Sequence, residues 1–161
     1  MTNSPHASSP GEEKSPQRVL AIDYGRRRLG LAVSDLLRLL ARPLTTLTRT
    51  NRRQDLARLG TVAREQNVAQ IVVGLPLKMD GTHGEMAKEA RVFAARIEKA
   101  LHLPVELVDE RLTSWEAEQS VAKRTPGKRI GERRAKRRPD TDSRAAALIL
   151  EEFLRRESAK K

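Results

Sequence analysis

The chain has 161 residues, the size of one ordinary domain, and no cysteine, which excludes disulfides, thiolate metal sites and a cysteine nucleophile. Its formal net charge is +11, with 32 Lys and Arg against 21 Asp and Glu, and such a surplus favours a polyanionic partner because summed basic charge attracts phosphates at long range. No run approaches the ~20 apolar residues that span a bilayer, and the Ser- and Pro-rich stretch at residues 1–17 lacks the apolar core of a signal peptide. The protein is therefore expected in the cytoplasm, with residues 1–17 as a disordered tail and residues 18–158 as one domain.

Val19-Leu20-Ala21-Ile22 is a continuous apolar run ending at the turn signal Tyr24-Gly25, the pattern of a central strand buried on both faces. Leu29 to Ser34 reads as a second strand, joined by a tight basic connection, Arg26-Arg27-Arg28, bracketed by Gly25 and Gly30. Pro43 to Thr48 reads as an edge strand. A helix follows from about Arg53 to Gln66, with Leu56, Leu59, Val62 and Ala63 on one face. Gly60 weakens it by ~1 kcal/mol relative to alanine.

Ala69 to Gly74 is another buried strand. Gly84 to Leu101 is the clearest helix, with Met86, Ala90, Phe93, Ala94, Ile97 and Leu101 at three- and four-residue spacing. Pro104 to Val108 is the fifth strand. Thr113 and Glu116 form a capping box opening a helix to about Lys123. The last helix starts near Asp142 and buries Ala145, Ala146, Ile149 and Phe153. A hairpin-first order followed by helix–strand alternation predicts an α/β fold. Its mixed five-stranded sheet has the first three strands antiparallel and is flanked by helices.

Acidic residues cluster where the buried strands end. Asp23 follows the first strand, Asp109 and Glu110 follow the fifth, and Asp140 and Asp142 open the last helix. Ligands of α/β sheets gather where strands finish, and buried carboxylates brought together repel unless a hard cation compensates them. Mg²⁺, or Mn²⁺, suits carboxylate oxygen. Two such ions ~3.5–4 Å apart activate water and stabilise a leaving oxygen in phosphodiester cleavage. Each acid also has a simpler role open to it: Asp23 as a turn cap, Asp142 as a helix N-cap, Glu110 as a partner of Arg111.

Asp23-Tyr24-Gly25 with Gly30 is also similar to the phosphate-cradling strand–turn–strand of actin-like and sugar-kinase ATPases. Those need a second domain and a second Gly-rich loop, and the latter half here offers only Gly127 and Gly131 among arginines.

A basic loop spans residues 123–138. Lys123, Arg124, Lys128, Arg129, Arg133, Arg134, Lys136, Arg137 and Arg138 face one acid, Glu132, for a charge of +8. Placed just before Asp142, these side chains are expected to grip phosphates. With Tyr24, Phe93, Trp115 and Phe153 the only aromatics, contact with backbone and shape is expected rather than base stacking. His83 reads as a surface residue and Trp115 as packing.

Taken together these segments resemble the YqgF family, described both as pre-16S rRNA nucleases and as Holliday junction resolvases. The resemblance runs from about Arg18 to Leu154. It rests on Ala21-Ile22-Asp23-Tyr24-Gly25, Gly30-Leu31-Ala32-Val33-Ser34-Asp35 and Ala41-Arg42-Pro43-Leu44. It continues through Val73-Gly74-Leu75-Pro76-Leu77, Met79-Asp80-Gly81-Thr82, Asp109-Glu110-Arg111-Leu112-Thr113, and Asp142-Ser143 before Ala145-Ala146-Ala147-Leu148-Ile149-Leu150. It implies an RNase H-like fold, metal-dependent phosphodiester hydrolysis, and an acidic triad at Asp23, Glu110 and Asp142 that holds the metal.

The implied role is trimming the 5′ end of the small-subunit ribosomal RNA precursor, with Arg111 and Thr113 supporting the triad from beside Glu110. This chain departs from the family in its dense Arg/Lys loop and its extra N-terminal tail. The other readings are a resolvase of branched DNA and a non-catalytic nucleic-acid-binding ribosome-assembly factor. Clustered negative charge near phosphates argues against the latter.

Overall fold

The apolar run from Val19 to Ile22 is fully buried at the centre of a five-stranded sheet, in a computed structural model that describes residues 17–76, 84–109 and 140–160. Within these residues the order is β1 (Arg18–Tyr24), β2 (Arg28–Ser34), β3 (Ala41–Thr48), α1 (Arg52–Glu65), β4 (Val68–Leu75), α2 (Glu85–Leu101), β5 (Val105–Asp109) and α3 (Thr141–Ala159). The strands lie in the order β3-β2-β1-β4-β5. The first three are antiparallel, and β4 and β5 run parallel to β1, as the hairpin-first pattern predicts. The expected helix at residues 113–123 and the basic loop at residues 123–138 lie outside the described residues.

Alternation along β1 divides the core. Leu20 and Ile22 face one side with Leu59, Ala63, Phe93 and Ile97 of α1 and α2. Val19 and Ala21 face the other with Ala146, Ile149, Leu150 and Phe153 of α3. Both faces of a central strand are thus covered, and for that reason its sequence shows no polar alternation. Pro43 sits on the edge strand, where it costs no ladder hydrogen bond. The register slips there: Leu31 pairs with Thr45 but Ala32 with Pro43, so Leu44 is the extra residue of a bulge.

Two expectations need correcting. β1 continues through Asp23 to Tyr24 and β5 through Asp109, so both acids are strand residues rather than followers of a strand. Ala145 is half-buried, whereas Ala147, Leu150, Glu152 and Leu154 are buried, because the contact face of α3 is rotated toward Ser143-Ala147-Leu150-Leu154. No helix among the described residues is long and apolar enough to cross a membrane.

Glu152 is buried yet charged. Arg155 donates to it at 2.7 Å and Arg156 contacts its other oxygen. Burial alone would push its carboxyl up, but hydrogen bonds and charge from Arg155 and Arg156 hold it below the usual carboxylate value. A depressed folded-state value gives stability that is present above ~4.3, the unfolded value, and is lost as pH falls through the folded one. Glu152→Gln should therefore flatten the acid limb of the stability–pH curve, read from urea midpoints between pH 3 and 7. An unchanged acid limb would deny Glu152 this role.

Candidate active site at the junction of β1, β2 and α3

In the β1–β2 ladder Asp23 stands opposite Gly30. Asp23 alternates with Val19 and Ala21 onto the α3 face, and Gly74 alternates with Val72 onto that face in β4. The acid thus lies between two strand positions that carry no side chain. A Cβ added at Gly30 would collide with the backbone oxygen of Asp142 and lie 3.0 Å from the amide nitrogen of Ser143. The first turn of α3 therefore rests directly on the β2 backbone, beside Asp23. Gly30 is needed for this approach, while Gly25, whose Cβ would meet the Arg28 carbonyl oxygen at 2.5 Å, is the turn glycine.

The N-cap of α3 is Asp140. Its carboxylate accepts from the Ser143 amide at 2.9 Å and from the Thr46 hydroxyl of β3. Thr46 first, then the Ser143 amide, hold Asp140 below the usual carboxylate range. The capping role open to Asp142 in the sequence thus falls to its neighbour. Asp142 occupies the first turn, where the helix dipole favours an anion, and its carboxylate meets Arg28 Nε at 2.9 Å with a quarter of the side chain exposed.

Asp109 pairs in register with Leu75, and Leu75 packs on Ala87 and Ala90 of α2. Asp109 therefore faces away from Asp23, across the sheet, whereas Val108 before it belongs to the α3 face. Of the predicted triad, the structure describes Asp23 and Asp142 and brings their backbones together through Gly30. Glu110, with Arg111, Thr113 and the basic side chains Lys123 to Arg138, lies outside the described residues. Among the described residues no group of three or more His, Asp or Glu is placed to hold a metal. The two carboxylates in hand suit a hard, oxygen-seeking cation in the chemistry of their donors.

Sequence reasoning missed the cluster behind the hairpin. Tyr24 donates to Glu89 at 3.2 Å, Arg26 grips the same carboxylate at 2.8–3.2 Å, and the Arg49 guanidinium stacks 5.1 Å from the Tyr24 ring centre. Glu89 is held below its usual value chiefly by Arg26. Only the spatial return of β3 and α2 to the hairpin assembles these residues, and nothing in their spacing announces it.

Among solved structures, Thermus thermophilus RuvC in complex with a Holliday junction substrate aligns with a TM-score of 0.53 at 19% identity, covering 88% of this chain and 96% of that one. A second structure of Thermus thermophilus RuvC aligns with the same score at 16% identity, covering 89% and 97%. The fold is thus RNase H-like, an α/β arrangement around a mixed five-stranded sheet.

A family model described as "RuvX: Holliday junction resolvase" matches residues 17–156. A curated relative from Anaeromyxobacter dehalogenans strain 2CP-1, named "Putative pre-16S rRNA nuclease", is 48% identical over 139 residues, covering 86% of this chain and 97% of the relative. A relative of the same name from Synechococcus sp. is 42% identical over 135 residues, covering 84% and 87%. The chain belongs to the RuvX family, which is the YqgF family to which its motifs pointed.

Gly30→Ala should displace the start of α3 and with it Asp142. A cost of about 1–3 kcal/mol is expected from overpacking against backbone that cannot yield, read by urea unfolding, together with a fall in nuclease activity. Wild-type stability and activity in this variant would show that α3 does not depend on the close approach.

Proposed function

We propose that this chain is a divalent-metal-dependent endonuclease that processes the 5′ end of pre-16S rRNA during ribosome biogenesis. The observation that carries the reading is the seating of the Asp142 backbone on Gly30, opposite Asp23, which brings two acidic residues from distant parts of the chain to one place on the sheet. The names of the relatives support the substrate.

Asp23, Glu110 and Asp142 would hold Mg²⁺ or Mn²⁺. The bound ions would supply water activation and stabilisation of the leaving oxygen. Asp23, a strand residue held opposite Gly30 in the β1–β2 ladder, would provide the rigid ligand. Arg28, which meets the Asp142 carboxylate at 2.9 Å, would also be placed to meet a phosphate oxygen. Glu110 stands two positions after Val108, whose side chain packs on the α3 face. Arg111 and Thr113 would hold Glu110 in place. The basic residues from Lys123 to Arg138 would bind the backbone of a structured RNA.

The second reading, cleavage of branched DNA, is favoured by the family description and by the Holliday junction held in the RuvC complex. Purified protein offered a precursor RNA and a four-way DNA junction, with and without Mg²⁺, decides between them: preferential cutting of the RNA supports the first, of the junction the second. Asp23→Asn and Asp142→Asn should each lower cleavage by on the order of 100-fold or more, beyond the ~10–100-fold typical of losing a residue that merely supports a metal ligand. The fold by circular dichroism and the binding of RNA in EDTA should persist. Near-wild-type turnover in both variants would remove the metal-site assignment.

Replacing Arg133, Arg134, Arg137 and Arg138 with Gln should flatten the plot of log affinity against log salt by roughly 2–3, at ~0.7–0.9 per phosphate contact. The loss should be similar for unrelated sequences, since phosphate contacts do not read bases. An unchanged slope would leave the loop a solvated one.

A further inference from the structure

Beside the β1–β2 hairpin, on the far side from Asp142, lies an open cleft of about 660 Å³. The hairpin tip, the end of β3 and the first turn of α1 enclose it. Its charges fall into two groups. Arg26 is held by Glu89, and Arg49 is held by Asp55 at 3.1 Å, by the carbonyl oxygen of Gly25 at 3.1 Å and by the Tyr24 and Phe93 rings at 5.1 and 5.4 Å. These two arginines and two acids neutralise one another and fix the walls.

Arg27 and Arg52 make up the second group. Both line the cleft, both are exposed, and neither forms an ion pair among the described residues. The backbone beneath Arg27 is fixed, because its carbonyl oxygen accepts from the Arg49 amide at 2.9 Å. Arg52 stands at the first position of a 14-residue helix whose N-cap, Asn51, takes the Gln54 amide at 3.0 Å. The amides of Arg52 and Arg53 have no acceptor within the helix and add positive potential at the same place. A rigid cleft with two uncompensated guanidinium groups, open to solvent, is suited to an extended polyanion rather than to an enclosed small molecule.

We infer that this arginine-lined cleft binds backbone phosphates of the nucleic-acid strand on one flank of the cleavage point. The inference rests on the nuclease reading above and extends it to a second contact region, distinct from the basic loop at residues 123–138. Arg28 contacts Asp142 on one side of the hairpin and Arg27, its neighbour, lines the cleft on the other. A strand whose phosphate lies at Asp23 and Asp142 and which leaves over the hairpin passes directly into the cleft. Adjacent strand residues are ~3.3 Å apart, so the contacted phosphates lie within a few nucleotides of the one cleaved.

The test is made on the full chain in EDTA, where no cleavage occurs, so a failed nuclease reading and a failed cleft are told apart. Binding of the precursor RNA and of the four-way junction is followed from low to moderate salt for wild type, R27Q/R52Q and R27K/R52K. Neither side chain supports the fold, and equal thermal midpoints check this. R27Q/R52Q should flatten the salt slope by about 1–2, at ~0.7–0.9 per phosphate contact, and R27K/R52K should restore it.

A single neutral methylphosphonate linkage, walked through the bound strand of the probe that binds, should weaken wild type at one or two positions near the cleavage point and leave R27Q/R52Q indifferent there. Inorganic phosphate competing as well as the strand would assign the cleft to a free anion and overturn the inference. So would an unchanged slope, the absence of any such linkage, or binding to neither probe.

Discussion

The seating of the α3 first turn on Gly30 is the contact on which the rest of the site depends. A helix can touch strand backbone only where no Cβ intervenes, and here a Cβ would overlap the Asp142 carbonyl oxygen. Two further anchors hold the helix in that position. Asp140 caps it while accepting from Thr46 of the edge strand, and Ile149, Leu150 and Phe153 bury its far end against Val19, Ala21 and Val72. The helix start is thus pinned to β2 and β3 and its body to β1 and β4. The position of Asp142 follows from packing, without any contribution from the substrate.

Electrostatics then explain why a strongly basic protein carries acids at this point. Three successive arginines in the hairpin are distributed among different tasks. Arg26 reaches back to Glu89 on α2, Arg28 reaches Asp142 on α3, and Arg27 lines the cleft beside the hairpin. Acidic charge at the start of α3 is therefore partly compensated from the hairpin. A surplus of arginine around it keeps the region attractive to phosphates.

The two faces of the sheet divide the work. The α3 face is apolar up to Ala21 and turns acidic at Asp23, where full burial ends. The α1–α2 face ends in a polar cluster, where Arg49 joins the hairpin carbonyl, Asp55 and two rings. That cluster holds the hairpin from behind. Asp109, paired with Leu75 on this second face, is separated from Asp23 by the sheet itself.

Local pattern alone determined most of the architecture. The unbroken apolar run of β1 required a strand covered on both sides, the spacing in α2 required one buried stripe, and Pro43 required an edge. Those periodicities are properties of neighbouring residues and survive in one dimension. Asp23 and Asp142 were legible as acids at element ends, and their motifs placed them in a nuclease family. Their meeting was not legible, since it depends on Gly30 lying opposite Asp23 in a ladder and beneath a helix that arrives from the other end of the chain. The same holds for the cap: Asp140 and Asp142 are equivalent candidates in sequence, and only the presence of Thr46 beside one of them decides which caps and which meets Arg28. Side-chain direction likewise separates Asp109 from Asp23, because alternation has no sign until the register with β4 sets it.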